Sequence, residues 1–491
     1  MFVDKIPQVL IKIISLYLMR DQQLYLTKKG YKSFLSYTKR REKFRQKKAG
    51  YQRYLLHMKR RAEAEGRSYK SSLSNPFIHK KALPPKPEYP LNIKYLLSIP
   101  DFFSKKQFTH KDDGVFYIPE CFSLLENYEE SFDFLKRLFV VLHKCKCRSI
   151  TLDYSKCKRI DVDASICMDV LLIEFIKHVE KCRKLGYRNL FDGGITPINF
   201  QNPDIMKVLF SIGAYRNIRG FSIKYADVEA LPVLVNDHRK PEVWERSEID
   251  QTKIVEYIKR CLKRLGRELT IEAETSFYKV IGEVMSNAEE HATMPYRFAI
   301  GFFQETHNEE EHFGIFNFSI FNFGNTIYET FKSPECPNQK TVKQMTDLSE
   351  DYTKKGWFSK ADFEEETLWS LYALQDGVTS KKKKRGNGSI QYLENFFKLK
   401  GDLNKDNISK FVIVSGNTRI MFDGSYEIKE KLRIEENRKY KSITFNDSGE
   451  IFDQPNKKYV TFAPHFFPGT LISARILIKF DNTTSEQPNG E

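Results

Sequence analysis

Three polar residues interrupt the stretch IGEVMSNAEEHAT at 281–293: Glu283, Asn287 and His291. They step by four, so on a helix they share one stripe and are neighbours. A carboxylate there could take a proton from water or a hydroxyl. An amide oxygen is a ligand for a hard cation. The helix is predicted by the stripe beside them. Phe277, Val280, Ile281, Val284, Met285 and Ala288 fall at i, i+3, i+4, i+7, i+8 and i+11, a face suited to burial. A solvated helix shows such a polar stripe too, so this helix alone decides nothing.

Further pieces bear on the same chemistry. FNFGNTI, at 321–327, leaves an apolar strand through Gly324. KKKKRGNGSIQYLENFF, at 381–397, runs through Lys384, Arg385, Gly386, Asn387 and Gly388 into a helix. Backbone N–H groups at such a turn, with the positive end of a helix behind them, suit phosphate oxygens. HFFPGTLISARILIKF carries Gly469 and Thr470 into a last apolar strand.

In this order the pieces resemble the GHKL ATPases (gyrase, heat-shock ATPase chaperones, histidine kinases and MutL), over roughly residues 250–481. The E-x-x-x-N helix motif is matched by Glu283 and Asn287. Ala288, His291 and Ala292 match the A-x-x-H-A form that looks most like the anti-sigma-factor kinases. The family's D-x-G-x-G reads here as Asn322, Phe323, Gly324, Asn325 and Thr326. Its G-x-G is Gly386, Asn387 and Gly388, and its late Gly-Thr is Gly469 and Thr470. The resemblance implies ATP and Mg2+ as cofactors, with Asn287 ligating the metal and Glu283 orienting or deprotonating the attacking water or hydroxyl. It implies that Lys384, Arg385 and the 386–388 backbone hold phosphates, that Asn322, Gly324 and Thr470 belong to the nucleotide site, and that the charged stretch 333–384 closes over it. Two positions depart from the pattern. Asn322 replaces an Asp: its amide oxygen accepts from an adenine amino group, whereas its NH2 would donate to a different base. Thr326 replaces a Gly. Two other Asp-Gly stretches, at 191–194 and 422–424, fall outside the family order.

Strands and helices alternate upstream. RSITLDYS (148–155) alternates like a strand, DASICMDVLLIEFIKHVEKCRKLG (163–186) is helical and stops at Gly186, and DIMKVLFSIGA is a second helix. TLDYSKCKRIDVDASICMDVLL resembles the STAS domain of anti-anti-sigma factors, through Leu152, Asp153, Ser155, Ile160 and Asp161. That family's phosphorylated Ser, at a helix start, corresponds here to Asp163. The expected fold class is α/β (an α+β sandwich): a STAS-like α/β domain at 95–235, then a Bergerat-type α/β sandwich at 248–481. The latter would carry helices on one face of a mixed sheet. A polar tail, 482–491, follows.

The charge is unevenly placed. Lys and Arg number 22 in residues 1–90 against 6 Asp and Glu; the rest of the chain has 58 of each, so the whole net charge of +16 lies in the first ninety residues. This basic arm interleaves Tyr31, Phe34, Tyr37, Phe44, Tyr51, Tyr54 and Leu55 with its charges, predicts short helices, and ends in the Pro-rich linker SSLSNPFIHKKALPPKPEYP. Such an arm suits nucleic acid, a protein partner, or an anionic membrane surface through PQVLIKIISLYLM. No apolar run is long enough for a transmembrane segment, and the N-terminal run lacks a cleavage site. The eight cysteines contain no CxxC pair, so Cys145, Cys147, Cys157 and Cys167 read as reduced thiols rather than metal ligands, in a cytoplasmic protein.

The expectation is therefore a cytoplasmic regulatory or signalling protein that binds Mg-ATP, with slow hydrolysis or phosphotransfer: an ATPase, or a serine/threonine-type protein kinase of the anti-sigma-factor kinase kind. Homodimers are common in that family. The alternative is a non-catalytic interaction protein or nucleic-acid-binding effector with a degenerate nucleotide site.

Overall fold

The computed structural model describes residues 28–65, 85–100, 114–144, 149–187, 194–213, 216, 220, 222–240, 243–290, 293–307, 310–353, 363–380, 388–400, 406–433 and 438–480. The chain divides into two compact units, Met1–Lys86 with Leu185–Tyr187, and Pro87–Lys184 with Arg188–Glu491.

The described part of the first unit is dominated by one helix, α1, Lys28–Ala64. It replaces the short helices expected in the arm. Gly50 lies inside it, with nothing within 4 Å of where a Cβ would stand. A glycine in a helix costs about 1 kcal/mol relative to alanine. That is too little to divide a helix whose other residues are mostly Lys, Arg, Gln, Leu and Ala. PQVLIKIISLYLM lies outside the described residues.

The second unit opens with α2 (Leu91–Ser98), β1 (Val115–Tyr117), β2 (Cys121–Phe122), α3 (Tyr128–Lys144), β3 (Ser149–Asp153), β4 (Arg159–Ile160), α4 (Val162–Lys184), β5 (Gly194–Ile198) and α5 (Pro203–Ser211). Strands β1, β3 and β5 form a parallel sheet in that order, and β2 pairs with β4 in parallel. Then come β6 (Val228–Asp237), α6 (Val243–Arg264), α7 (Ile271–Glu290), β7 (Tyr296–His307), β8 (His312–Phe323), α8 (Ile327–Lys332), α9 (Gln339–Thr353), α10 (Glu365–Ala373), α11 (Gly388–Lys398), β9 (Lys410–Phe422), the hairpin β10 (Lys429–Arg433) and β11 (Arg438–Ser442), and β12 (Val460–Lys479). The chain is thus mixed α/β.

The large sheet has the order β6-β7-β8-β12-β9, and every neighbouring pair in it is antiparallel. The mixed sheet expected from the sequence is corrected on this point. Even β6 and β7, which are joined through two helices, run in opposite directions. β6 also crosses the boundary expected near residue 235 and belongs to the large sheet.

Residues 316–323 of β8 are all buried, so both faces of the sheet are covered. On one face, Phe316, Phe318, Ile320, Ala474 and Ile476 join the main core with Ile254 and Ile258 of α6, Val280 and Ile281 of α7, Trp369 of α10 and Phe396 of α11. The other face is covered by the upstream segment. α4 lies over β7 and β8, and α3 over β12. Tyr128 donates to the carbonyl of His465 at 2.8 Å, and Phe132 stands 5.8 Å from the ring of Phe467. The contact is also ionic. Lys410 bonds Glu126 at 2.7 Å, Arg475 reaches Asp161 at 3.4 Å, and Arg419 donates to the carbonyl of Leu125 at 2.6 Å.

Candidate nucleotide site

The predicted apolar stripe of α7 is the buried one: Phe277, Val280, Ile281, Val284 and Met285 are all in the core. The helix is drawn close to α6 at Gly282, where an added Cβ would stand 2.5 Å from the amide nitrogen of Gln251. That packing turns the neighbouring stripe toward a cavity of about 500 Å³. Glu283, Ser286 and Asn287 line it, each half-buried. His291 and Ala292 lie outside the described residues.

The opposite wall comes from the ends of two strands. Asn322, at the end of β8, is buried and pairs in register with Thr470 of β12. Both line the cavity. The Asn322 amide nitrogen donates to the carbonyl of Phe323 at 3.3 Å. The Thr470 hydroxyl lies 2.9 Å from that of Ser415, which in turn accepts from the backbone N–H of Ile327 at 2.8 Å. Gly469 permits the close approach of β12 to β8. Its φ is +149°, and a Cβ there would stand 2.0 Å from the Asn322 carbonyl oxygen.

Gly324 does not line the cavity; it makes the turn that brings Asn325 and Thr326 to it. With φ +125°, a Cβ at Gly324 would meet the Thr293 backbone nitrogen at 2.7 Å. The Gly324 carbonyl accepts from the Tyr95 hydroxyl at 2.8 Å; burial, then the nearby Glu329 charge, push that phenol up to about 12. Thr326, where the family has Gly, caps α8. Its hydroxyl accepts from the Glu329 N–H, and the Glu329 carboxylate accepts from the Thr326 N–H, a reciprocal capping box.

The stretch 333–384 was expected to close over the site. Its described part is instead built into the core: it holds α9 and α10, and Met345, Leu368, Trp369 and Leu371 are buried there. Leu374, Val378, Thr379 and Ser380 form a cavity wall. Lys384, Arg385, Gly386 and Asn387 lie outside the described residues; Gly388 opens α11. Ile320, Ile327, Ile413 and Ile472 make part of the interior apolar. Hydroxyl, amide and carboxylate groups thus stand on the walls of a partly apolar cavity, the composition of a small-molecule site.

The sequence reading missed the group that holds α7 in place. Arg297 of β7 is 1% exposed. Its guanidinium bonds Glu289 of α7 at 2.8 Å and Asp250 of α6 at 2.9 Å. Asn236 of β6 donates to the same Glu289 carboxylate at 2.8 Å. The signal was present: a charged residue stands second in the otherwise apolar stretch YRFAIGFF.

The STAS-like landmarks stand elsewhere. Asp153 accepts from the Ser155 N–H at 2.8 Å and from Asn199 at 3.0 Å. Burial opposes its ionisation, but these hydrogen bonds outweigh burial and hold its carboxyl below the usual range. Asp163, at the start of α4, is fully buried on the face of the sheet away from the cavity. It accepts from the N–H groups of Leu124 (3.0 Å) and Leu125 (2.9 Å), and Ser473 of β12 donates to it as well. Burial, then the Asp161 charge, push the Asp163 carboxyl up from 3.8 to about 6. Asp161 is also buried, but its bonds to Arg159 and the Arg475 charge outweigh burial and hold it low. The folded state therefore keeps the Asp163 proton longer than the unfolded chain does. Its stabilising contribution is complete below about pH 4 and is lost as pH rises through about 6. Asp163→Asn should gain on the wild type by about 2 to 3 kcal/mol between pH 4 and pH 7, read from urea midpoints. A variant that loses ground over that interval would contradict the assignment.

The six described cysteines are free thiols, five of them buried. Among the described residues no cluster of three or more His, Cys, Asp or Glu side chains could hold a metal, and no helix is long and apolar enough to cross a membrane.

Comparison with family models, with curated proteins and with solved structures finds no match.

Proposed function

We propose that the cavity binds Mg-ATP, and that the chain is a cytoplasmic regulatory protein with a GHKL-type site on a Bergerat-type sandwich. The observation that carries this reading is convergence. Glu283 and Asn287 on α7, Asn322 at the end of β8 and Thr470 on β12 are up to 187 positions apart, yet they line one cavity of about 500 Å³. The residues suit the group. Asn287 offers a neutral amide oxygen, which a hard cation accepts alongside water and phosphate ligands. Mg2+ would neutralise charge on the phosphates. Glu283, one turn earlier, would orient the attacking water or hydroxyl and take its proton. Asn322, with its amide nitrogen turned to the Phe323 carbonyl, presents its oxygen as an acceptor, which suits the amino group of adenine.

The STAS-like segment acts here as a brace rather than as a phosphate acceptor. Asp163 is buried beneath the sheet's far face and takes three backbone N–H groups, those of Leu124, Leu125 and Ala164. A phosphoryl group leaving Glu283's side of the sheet would go to water or to a separate hydroxyl-bearing partner.

Calorimetry of ATP with Mg2+ tests the reading, wild type against Asn287→Ala. The expected result is metal-dependent binding that the substitution weakens at least tenfold. Wild-type protein that binds neither ATP nor GTP overturns it, and leaves the cavity as part of a non-catalytic interaction protein.

A further inference from the structure

We propose that α1 is a docking element for double-stranded DNA, contacting phosphates without reading sequence. The helix carries fourteen lysines and arginines and two glutamates in 37 residues, while residues 91–491 balance at 58 basic and 58 acidic. The excess charge is therefore concentrated on one element, and the body contributes nothing to it. At 1.5 Å per residue α1 is about 55 Å long and, with side chains, about 10–12 Å across. That diameter matches the roughly 12 Å major groove of B-form DNA, which admits a helix.

The described side chains fit this partner. Lys43, Lys47, Arg53, Lys59, Arg60 and Arg61 are all exposed. At 100° per residue they project around the whole helix rather than from one side. A helix seated in a groove has phosphates on both flanks and uses such a distribution. Two of the six make only exposed ion pairs, Lys59 with Glu63 at 3.8 Å and Arg61 with Glu65 at 3.1 Å. Exposed pairs of this kind are weak and yield to a phosphate.

A membrane surface fits less well. An interfacial helix needs one broad apolar face. The apolar side of α1 is narrow: Tyr51, Leu55, Met58 and Ala62 fall at i, i+4, i+7 and i+11 and are half-buried, the exposed Lys47 continues their stripe, and the exposed Tyr54 and Leu56 point to nearly opposite sides. A-form RNA presents a deep, narrow major groove that excludes a helix.

The test uses the full chain, a fluorescently labelled 20-base-pair DNA of arbitrary sequence, and anisotropy at 50 and 200 mM salt. With four to six phosphates neutralised, affinity should fall about 10²- to 10³-fold between those salts, equally for unrelated sequences. Replacing the six named residues by Gln, nearly as good a helix former, should weaken binding at least tenfold at 50 mM salt with the circular dichroism unchanged. Replacing Lys43, Lys47 and Lys59 by Arg should keep affinity within threefold. The proposal is overturned by absent or salt-insensitive DNA binding, by a Gln variant that binds like the wild type, by tighter binding to duplex RNA, or by displacement of the DNA by phosphatidylserine vesicles.

Discussion

Glu283→Gln should lower ATP turnover by about 10²- to 10⁴-fold, the range a positioned general base contributes, and leave Mg-ATP affinity within about threefold. The reasoning is geometric. Glu283 and Asn287 are one turn apart on the same face of α7, and both reach the cavity. If Asn287 fixes the metal, the carboxylate one turn earlier stands where an attacking water must be held. Glutamine keeps the size and the hydrogen-bonding ability and removes only the capacity to accept the proton. Binding depends on the slot and on Asn287, so it should survive. Single-turnover hydrolysis with labelled ATP, beside calorimetry on the same sample, separates the two quantities. A rate that does not change would mean that Glu283 is not the base. Equal losses of rate and affinity would give it a binding role.

How far the chain could be read without coordinates depended on whether a feature was local. The α7 stripe was legible because helical periodicity shows in twenty residues, and the same stripe that buries Val280 and Val284 turns Asn287 to the cavity. β8 was legible as a strand because Phe316, Phe318 and Ile320 alternate with Asn317 and Ser319, whereas the burial of its second face was not. β6 was not. Pro232 sits within it, and the register with β7 shifts between Leu231 and Leu234. Proline is tolerated there because β6 is an edge strand, and edge position is a property of the assembled sheet. The seating of α3 and α4 was equally invisible. It depends on Glu126 meeting Lys410 and Asp161 meeting Arg475, partners some 300 positions apart. Thr326 shows in the sequence only as a departure from a glycine pattern; its local role, a hydroxyl taken up in capping α8, was not legible.

Arg297→Leu should destabilise the protein by about 3 to 5 kcal/mol, the cost of breaking a buried ion pair from one side. The arginine side chain is fully buried, and its partners Asp250 and Glu289 are each about nine-tenths buried. Leucine fills part of the space but takes the guanidinium from both carboxylates, leaving the half-exposed Lys253, 3.5 Å from Asp250, as the countercharge nearby. Trp369, buried in the same core, provides a fluorescence signal for urea unfolding. The triple variant Arg297→Leu, Asp250→Asn, Glu289→Gln should recover most of the loss, because a buried charge cluster replaced as a whole is far less costly than one broken. ATP affinity should follow a different course. Glu289 is two residues beyond Asn287, and its tie to Arg297 fixes the last turn of α7 against β7. The triple variant removes that tie while restoring stability, so its metal-dependent affinity should stay below wild type. Recovery of affinity together with stability would mean that the triad only supports the fold. A single variant costing less than about 1 kcal/mol would mean that the buried charges are satisfied by other groups.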